Sequence, residues 1–263
     1  MRRTFAFRKF MQFPCRTGAK DMIIANWKMN GTSETVKTWI EQVSNKIDIK
    51  PDKTCVFCPP VCYIEFARDL IRNQNCQIKL GSQIINSSYD KALTGGLSAA
   101  MLRDINTDFV LIGHSEQRSY LREDRKVISE KIINAIEENL RVVFCIGEDF
   151  DVKEKNDTQK FLSEQLEVLQ NISLESVVVA YEPIWAIGSG QVATKEYIDE
   201  IHEFIKQHCK KFRYSEGDVS VVYGGSVKLE NCEEIISSNF VDGLLIGGAS
   251  LDPEIFSSIY NLS

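Results

Sequence analysis

The chain is expected to fold as a single α/β domain in which eight parallel strands close into a (β/α)8 barrel ringed by helices. Three observations predict this. From residue 21 a short apolar run followed by a turn and a helix-length stretch of mixed charge recurs eight times, mostly about 30 residues apart. Several of the runs have no polar face, as in Val177-Val178-Val179, which is the mark of strands covered on both sides. No Gly/Ser-rich linker or low-complexity segment interrupts the alternation. A doubly wound open sheet is the structural alternative. It would carry a Gly-x-Gly-x-x-Gly turn after its first strand, where this chain reads Asn26-Trp27-Lys28-Met29-Asn30-Gly31.

The strands are expected at Met22–Asn26, Thr54–Cys58, Ile78–Gln83, Phe109–Gly113, Val142–Ile146, Val177–Tyr181, Val219–Val222 and Gly243–Ile246. The helices expected between them include Ser33–Lys46, Tyr63–Asn73, Asp124–Asn139, Asp157–Leu169, Lys195–Lys211 and Asn231–Ser237. Pro183 ends the sixth strand, and Gly188-Ser189-Gly190 closes an aromatic segment whose composition suits a hinged lid.

With 43% hydrophobic and 26% charged residues in 263, the chain can bury a full core. No apolar run approaches the roughly 20 residues of a membrane helix, and no secretory signal is recognisable. The eight cysteines are scattered, several inside apolar runs (Cys55, Cys58, Cys145), and read as reduced core thiols. Cys55-x-x-Cys58 with Cys62 resembles a zinc half-site. Strand alternation turns Cys55 and Cys58 to opposite faces and no second pair follows, so no metal is expected.

Charge divides the chain in two. Residues 1–20 hold six basic residues (Arg2, Arg3, Arg8, Lys9, Arg16, Lys20) and no acid, which leaves 25 basic against 37 acidic residues in the 21–263 body. That body, at about −12, disfavours nucleic acid as a partner. The tail stays open between two readings, a mitochondrial transit peptide and a disordered basic extension. It is rich in arginine, yet it lacks serine and its Phe5, Phe7, Phe10 and Phe13 do not share a helical face.

Barrel chemistry sits at the carboxyl ends of the strands, and the polar residues there form one set. Strand one ends with Asn26 and Lys28, strand four with His114, Ser115 and Glu116, and strand six with Glu182. Strand seven ends with Gly224-Gly225-Ser226 and strand eight with Gly247-Gly248. Each alone has a structural explanation; five convergent strand ends do not. A carboxylate leaving an apolar strand is a candidate base, an imidazole opposite it can polarise a carbonyl, and a lysine supplies charge where an enediolate oxygen develops. Glu116 is placed to anchor that lysine. Glycine turns expose amides to a phosphate dianion, and Gly188 on the lid adds another. The set describes proton abstraction beside a carbonyl in a phosphorylated substrate, with a lid that excludes water.

These residues resemble the triosephosphate isomerase family, the enzymes for which the TIM barrel is named and one of the worked cases of tuned acid and base groups. The resemblance runs from about Asp21 to the C-terminus. It rests on NWKMNG (Asn26–Gly31), IGHSE (Ile112–Glu116), FCIGE (Phe144–Glu148), AYEPIWAIGSG (Ala180–Gly190), YGGSV (Tyr223–Val227) and GGASL (Gly247–Leu251). It implies interconversion of dihydroxyacetone phosphate and D-glyceraldehyde 3-phosphate, in glycolysis and gluconeogenesis, without metal or organic cofactor. Glu182 is then the base, His114 the neutral electrophile and Lys28 the electrostatic stabiliser, with Asn26 beside it. Gly188, Ser226, Gly247 and Gly248 match the family's phosphate contacts. The resemblance also implies a homodimer, and a cytosolic location unless residues 1–20 act as a transit peptide. Two departures bear on the dimer: Thr94-Gly95-Gly96 stands where the family usually has Thr-Gly-Glu, and Ser115-Glu116-Gln117-Arg118 where it has Ser-Glu-Arg-Arg. Gly96 and Gln117 thus replace both members of an interfacial ion pair. The rival readings are a barrel kept as a structural or docking subunit with little activity, and a different phosphate-binding barrel enzyme.

Overall fold

Eight parallel strands pair in sequence order and the last returns to the first, so the sheet is a closed barrel, β1-β2-β3-β4-β5-β6-β7-β8. The computed structural model describes residues 21–87, 92–187, 191–212, 214 and 218–263. The basic tail at 1–20, and with it the targeting question, lies outside the described residues.

The strands are β1 (Met22–Asn26), β2 (Thr54–Cys58), β3 (Lys79–Ser82), β4 (Phe109–Ile112), β5 (Arg141–Ile146), β6 (Val177–Tyr181), β7 (Ser220–Tyr223) and β8 (Gly243–Ile246). Four match the expected bounds; β4 and β5 differ by one residue at one end, and β3 and β7 by one residue at both ends. Their side chains split by alternation into two cores. Inside the barrel lie Met22, Ile24, Val56, Cys58, Phe109, Leu111, Val143, Cys145, Val178, Ala180, Val222 and Leu245, all buried. The other face, including Ile23, Ala25, Cys55, Phe57, Val110 and Val179, packs against the helices. Cys55 and Cys58 therefore do face opposite sides, and the seven cysteines described are free thiols. β3 contributes no large side chain to the interior. A Cβ at Gly81 would lie 2.4 Å from Cys58 Sγ and 3.5 Å from Phe109 Cβ, so the glycine gives its neighbours their room.

Around this sheet run α1 (Ser33–Lys46), α2 (Ile64–Asn73), α3 (Ala99–Asp104), α4 (Ser115–Tyr120), α5 (Arg125–Glu137), α6 (Phe150–Glu154), α7 (Thr158–Leu166), α8 (Lys195–Cys209), α9 (Cys232–Ile236) and α10 (Pro253–Leu262). Their starts are chemically marked. Thr32 caps α1 in a reciprocal capping box with Thr35, Thr194 caps α8, and Asp252 caps α10 ahead of Pro253. Their buried faces follow helical spacing, as with Val36, Trp39, Ile40 and Val43 on α1. The short α3, α4 and α6, and the terminal α10, are absent from the expected list.

The barrel is sealed where its first and last units meet. Met22 of β1 pairs with Gly243 of β8, and the indole N–H groups of Trp27 and Trp39 both donate to the Ser250 carbonyl, at 3.2 and 2.8 Å. At the opposite rim Asn261 joins α10 to the end of α1 through Lys46 O and the Asp48 amide. No described helix is long and apolar enough to cross a membrane.

Candidate active site

The expected site residues that are described gather at the carboxyl end of the barrel because each ends its strand or follows it within four residues. Glu182 is the first residue after β6, held by its amide to Ile146 O at 2.7 Å, and is 3% exposed. Across the mouth, His114 lies two residues beyond β4 and is 5% exposed. Its Nε2 is 3.2 Å from Glu182 Oε1.

His114 is also the N-cap of α4, its Nδ1 accepting the Glu116 amide at 3.3 Å. That bond fixes the tautomer: Nδ1 is an acceptor, so the imidazole proton belongs to Nε2 and points at the carboxylate. Burial opposes charge on the ring, but the facing Glu182 carboxylate, with Glu116 behind it, outweighs burial and lifts the His114 pKa above its ordinary value. The raising cause is thus mainly the carboxylate opposite.

Lys28 occupies the left-handed region at φ 52°, which costs a non-glycine residue about 1–2 kcal/mol and must be held in place. Three contacts hold it. Its amide donates to Asn26 Oδ1 at 3.1 Å, its carbonyl accepts Gln83 Nε2 at 2.9 Å, and its ammonium meets Glu116 Oε1 at 2.7 Å. Asn26 is itself buried. Adjacent strands β7 and β8 supply glycine turns next to this lysine: Ser226 and Gly247 are half-buried, Gly248 is exposed, and a Cβ on Gly247 would sit 3.6 Å from Lys28 Cε. Gly188 lies outside the described residues, as do Ser189 and Gly190. The mouth therefore combines a carboxylate, an imidazole donor and an ammonium with open glycine turns. Among the described residues no group of acidic, histidine or cysteine side chains is arranged to hold a metal ion.

Several supporting residues were not identified from sequence. A Cβ on Gly224 would lie 2.7 Å from Glu182 Cγ, and one on Gly147 would overlap Glu182 O at 1.8 Å, so two glycines bound the space of that residue. Gly224 was read only as part of a glycine turn and Gly147 only as part of the FCIGE stretch, and neither pattern shows what the glycine leaves room for. Arg118 donates to Gly113 O at 2.6 Å and Cys145 O at 2.9 Å, joining the ends of β4 and β5 beneath His114. Burial lowers its pKa.

Glu148, closing the FCIGE stretch, is wholly buried and its Oε1 accepts Trp185 Nε1 at 2.8 Å and the hydroxyls of Tyr181 and Tyr197, both at 3.0 Å. Burial raises its pKa despite the three donors. The Lys153 ammonium lies 3.2 Å from the Trp185 ring centroid. The aromatic segment after Pro183 is thereby tied to the body at its near end.

A sequence model of the family described as Triosephosphate isomerase matches residues 21–263. Proteins named Triosephosphate isomerase from Thermodesulfovibrio yellowstonii and Francisella tularensis subsp. mediasiatica are 39% and 40% identical to it. Each alignment takes in 91% of this chain, and 98% and 96% respectively of those proteins. A Neurospora crassa protein of the same name is 35% identical over 91% of this chain and 97% of its own length.

Proposed function

Because this chain belongs to the triosephosphate isomerase family and is an isomerase of triose phosphates, we propose that Glu182, His114 and Lys28 carry its proton transfer. The observation that supports this most is the 3.2 Å approach of His114 Nε2 to Glu182 Oε1 on a mouth shared with Lys28. In the free enzyme the base is parked against the electrophile. The substrate separates them: Glu182 takes the proton from the carbon beside the carbonyl, and the His114 Nε2–H donates to the carbonyl oxygen. With the carboxylate withdrawn, the main raising influence on His114 is gone, and burial of the ring favours its neutral form. Lys28 stabilises the enediolate oxygen electrostatically, and its 2.7 Å bond to Glu116 fixes where that charge sits. Asn26 orients the Lys28 amide and borders the substrate. The amides at Gly188, Ser226, Gly247 and Gly248 bind the phosphate, which leaves the transferred protons to the strand four and six residues.

The test is Glu182→Gln, which keeps shape and removes the base. Turnover should fall by about 10² or more while binding of phosphoglycolate, a carboxylate mimic of the enediolate, persists. A two- or threefold loss would refute the assignment.

The chain is further proposed to work as a homodimer. Met29 is 96% exposed beside Lys28, and Leu93 is 48% exposed on a loop whose base is zipped by Asn86 N–H to Leu97 O and Leu97 N–H to Asn86 Oδ1. Such apolar surface next to a polar site suits a second copy. Gly96 packs against Leu93 of its own loop, and Gln117 turns inward, so apolar packing rather than an ion pair would hold the two copies. Sedimentation showing a monomer at micromolar concentration would overturn this. The 21–263 barrel is proposed as the catalytic unit and residues 1–20 as an appendage. A cytosolic location is the reading for the body, with mitochondrial import if the tail directs it.

A further inference from the structure

Glutamine 117 is not surface decoration at a family arginine position. Its Nε2 donates to the Gln83 carbonyl, and the Gln83 amide donates in turn to two carbonyls, Lys28 O and Cys58 O, each at 2.9 Å. Gln83 directly follows β3, Lys28 follows β1, Cys58 ends β2 and Gln117 belongs to α4. One side chain therefore stitches the ends of three adjacent strands to the helix that His114 caps. What it fastens at the far end is the backbone of Lys28 at φ 52°.

We infer that Gln117 is a positioning residue for Lys28, acting through Gln83, so that α4 holds the lysine twice: by its ammonium through Glu116 and by its backbone through Gln117 and Gln83. The physical need is clear. The Lys28 amide and carbonyl are both tied by side chains, from Asn26 and Gln83. A left-handed lysine released at its carbonyl relaxes toward negative φ, and such a rotation swings the side chain away from the mouth. Losing one neutral hydrogen bond corresponds to a roughly 3- to 10-fold change in the population of the working conformer. Gln83, in direct contact with Lys28 O, should matter more than Gln117, one bond further away. This inference rests on the proposed electrostatic role of Lys28.

The experiment uses the full chain with Gln83→Met, Gln117→Met, Lys28→Met, and each glutamine change combined with Lys28→Met. Steady-state kinetics, phosphoglycolate affinity, melting temperature and sedimentation at assay concentration are measured on each. Gln117→Met should raise KM and weaken phosphoglycolate roughly 3- to 10-fold, with melting and association little changed, and Gln83→Met should do so more strongly. Neither should add to the loss in the Lys28→Met background, because both act on a lysine that is gone. Full additivity there would overturn the inference. So would a Gln117→Met loss that recovers as enzyme concentration rises, since that would place its effect at subunit association. If Lys28→Met itself is harmless, the assignment of Lys28 fails; if Lys28→Met is severe and both glutamine changes are silent, only the relay fails.

Discussion

Changing Gly224 to alanine adds one methyl group at the most sensitive place in the mouth. The added carbon would lie 2.7 Å from Glu182 Cγ, 3.4 Å from Oε1 and 3.5 Å from the carboxyl carbon. Ordinary contact between carbons is about 3.5–4.0 Å, so the carboxylate must retreat by roughly 1 Å. A misplacement of that size costs a positioned catalytic group on the order of 10² in rate. The backbone is not at issue, because Gly224 does not have a positive φ, and the three nearest contacts are all with the Glu182 side chain. Melting temperature should therefore shift little while kcat falls about a hundredfold. KM should change less, since the phosphate turns are untouched. A coupled assay for glyceraldehyde 3-phosphate, run beside thermal unfolding, reads both quantities. Activity within threefold of the parent would refute the claim that this glycine sets the position of the base.

Other outcomes are equally direct. Glu182→Gln removes the main cause that raises the His114 pKa, so a titration of its ring resonances should show the pKa falling, with burial left in control; no change would mean the carboxylate does not set it. His202 is fully buried with its pKa lowered to about 3 by burial, so unfolded chains bind a proton below about pH 6.5 that the native protein refuses until about 3. Stability is then whole above pH 6.5 and declines as pH falls, by about 2 kcal/mol between pH 6.5 and 5, and urea unfolding of His202→Gln against the parent should show that slope missing. Deleting residues 1–20 should leave kcat and melting temperature unchanged, and a reporter carrying those residues should report whether they direct import.

Much of this was legible in the chain itself, and the reasons differ by element. β1, β2, β6 and β8 lie at their expected bounds because each holds an apolar run closed by a polar residue, a glycine or, for β2, Pro59. α1 is likewise bounded as expected, since Thr32 caps it and Lys46 ends it. β3 is shorter at both ends than its apolar run, because its parallel pairing to β2 engages only Lys79 and Leu80. α4 was not expected: six residues give too little periodicity, and its cap is an imidazole rather than the usual Ser, Thr, Asp or Asn. The candidate site was legible as a set of residue types after strands, but not as a network. That Gln83 reaches Lys28 depends on chain segments 55 residues apart, and no local pattern encodes such a contact. The inward turn of Gln117 was hidden for the same reason.

The seam between the first and last strands has a consequence for biosynthesis. β1 is complete on one side as soon as β2 pairs with it, but its other side waits for β8, and the two indoles that anchor the seam wait for Ser250. Ser250 stands 223 residues after Trp27. During synthesis β1 emerges well before β8 is made and keeps an unpaired hydrogen-bonding edge until β8 follows. At 5–20 residues per second that exposure lasts on the order of 10 to 50 seconds. An open apolar edge of that kind is a template for pairing with another chain. The closed barrel has no such edge; the growing polypeptide carries one until its eighth strand arrives.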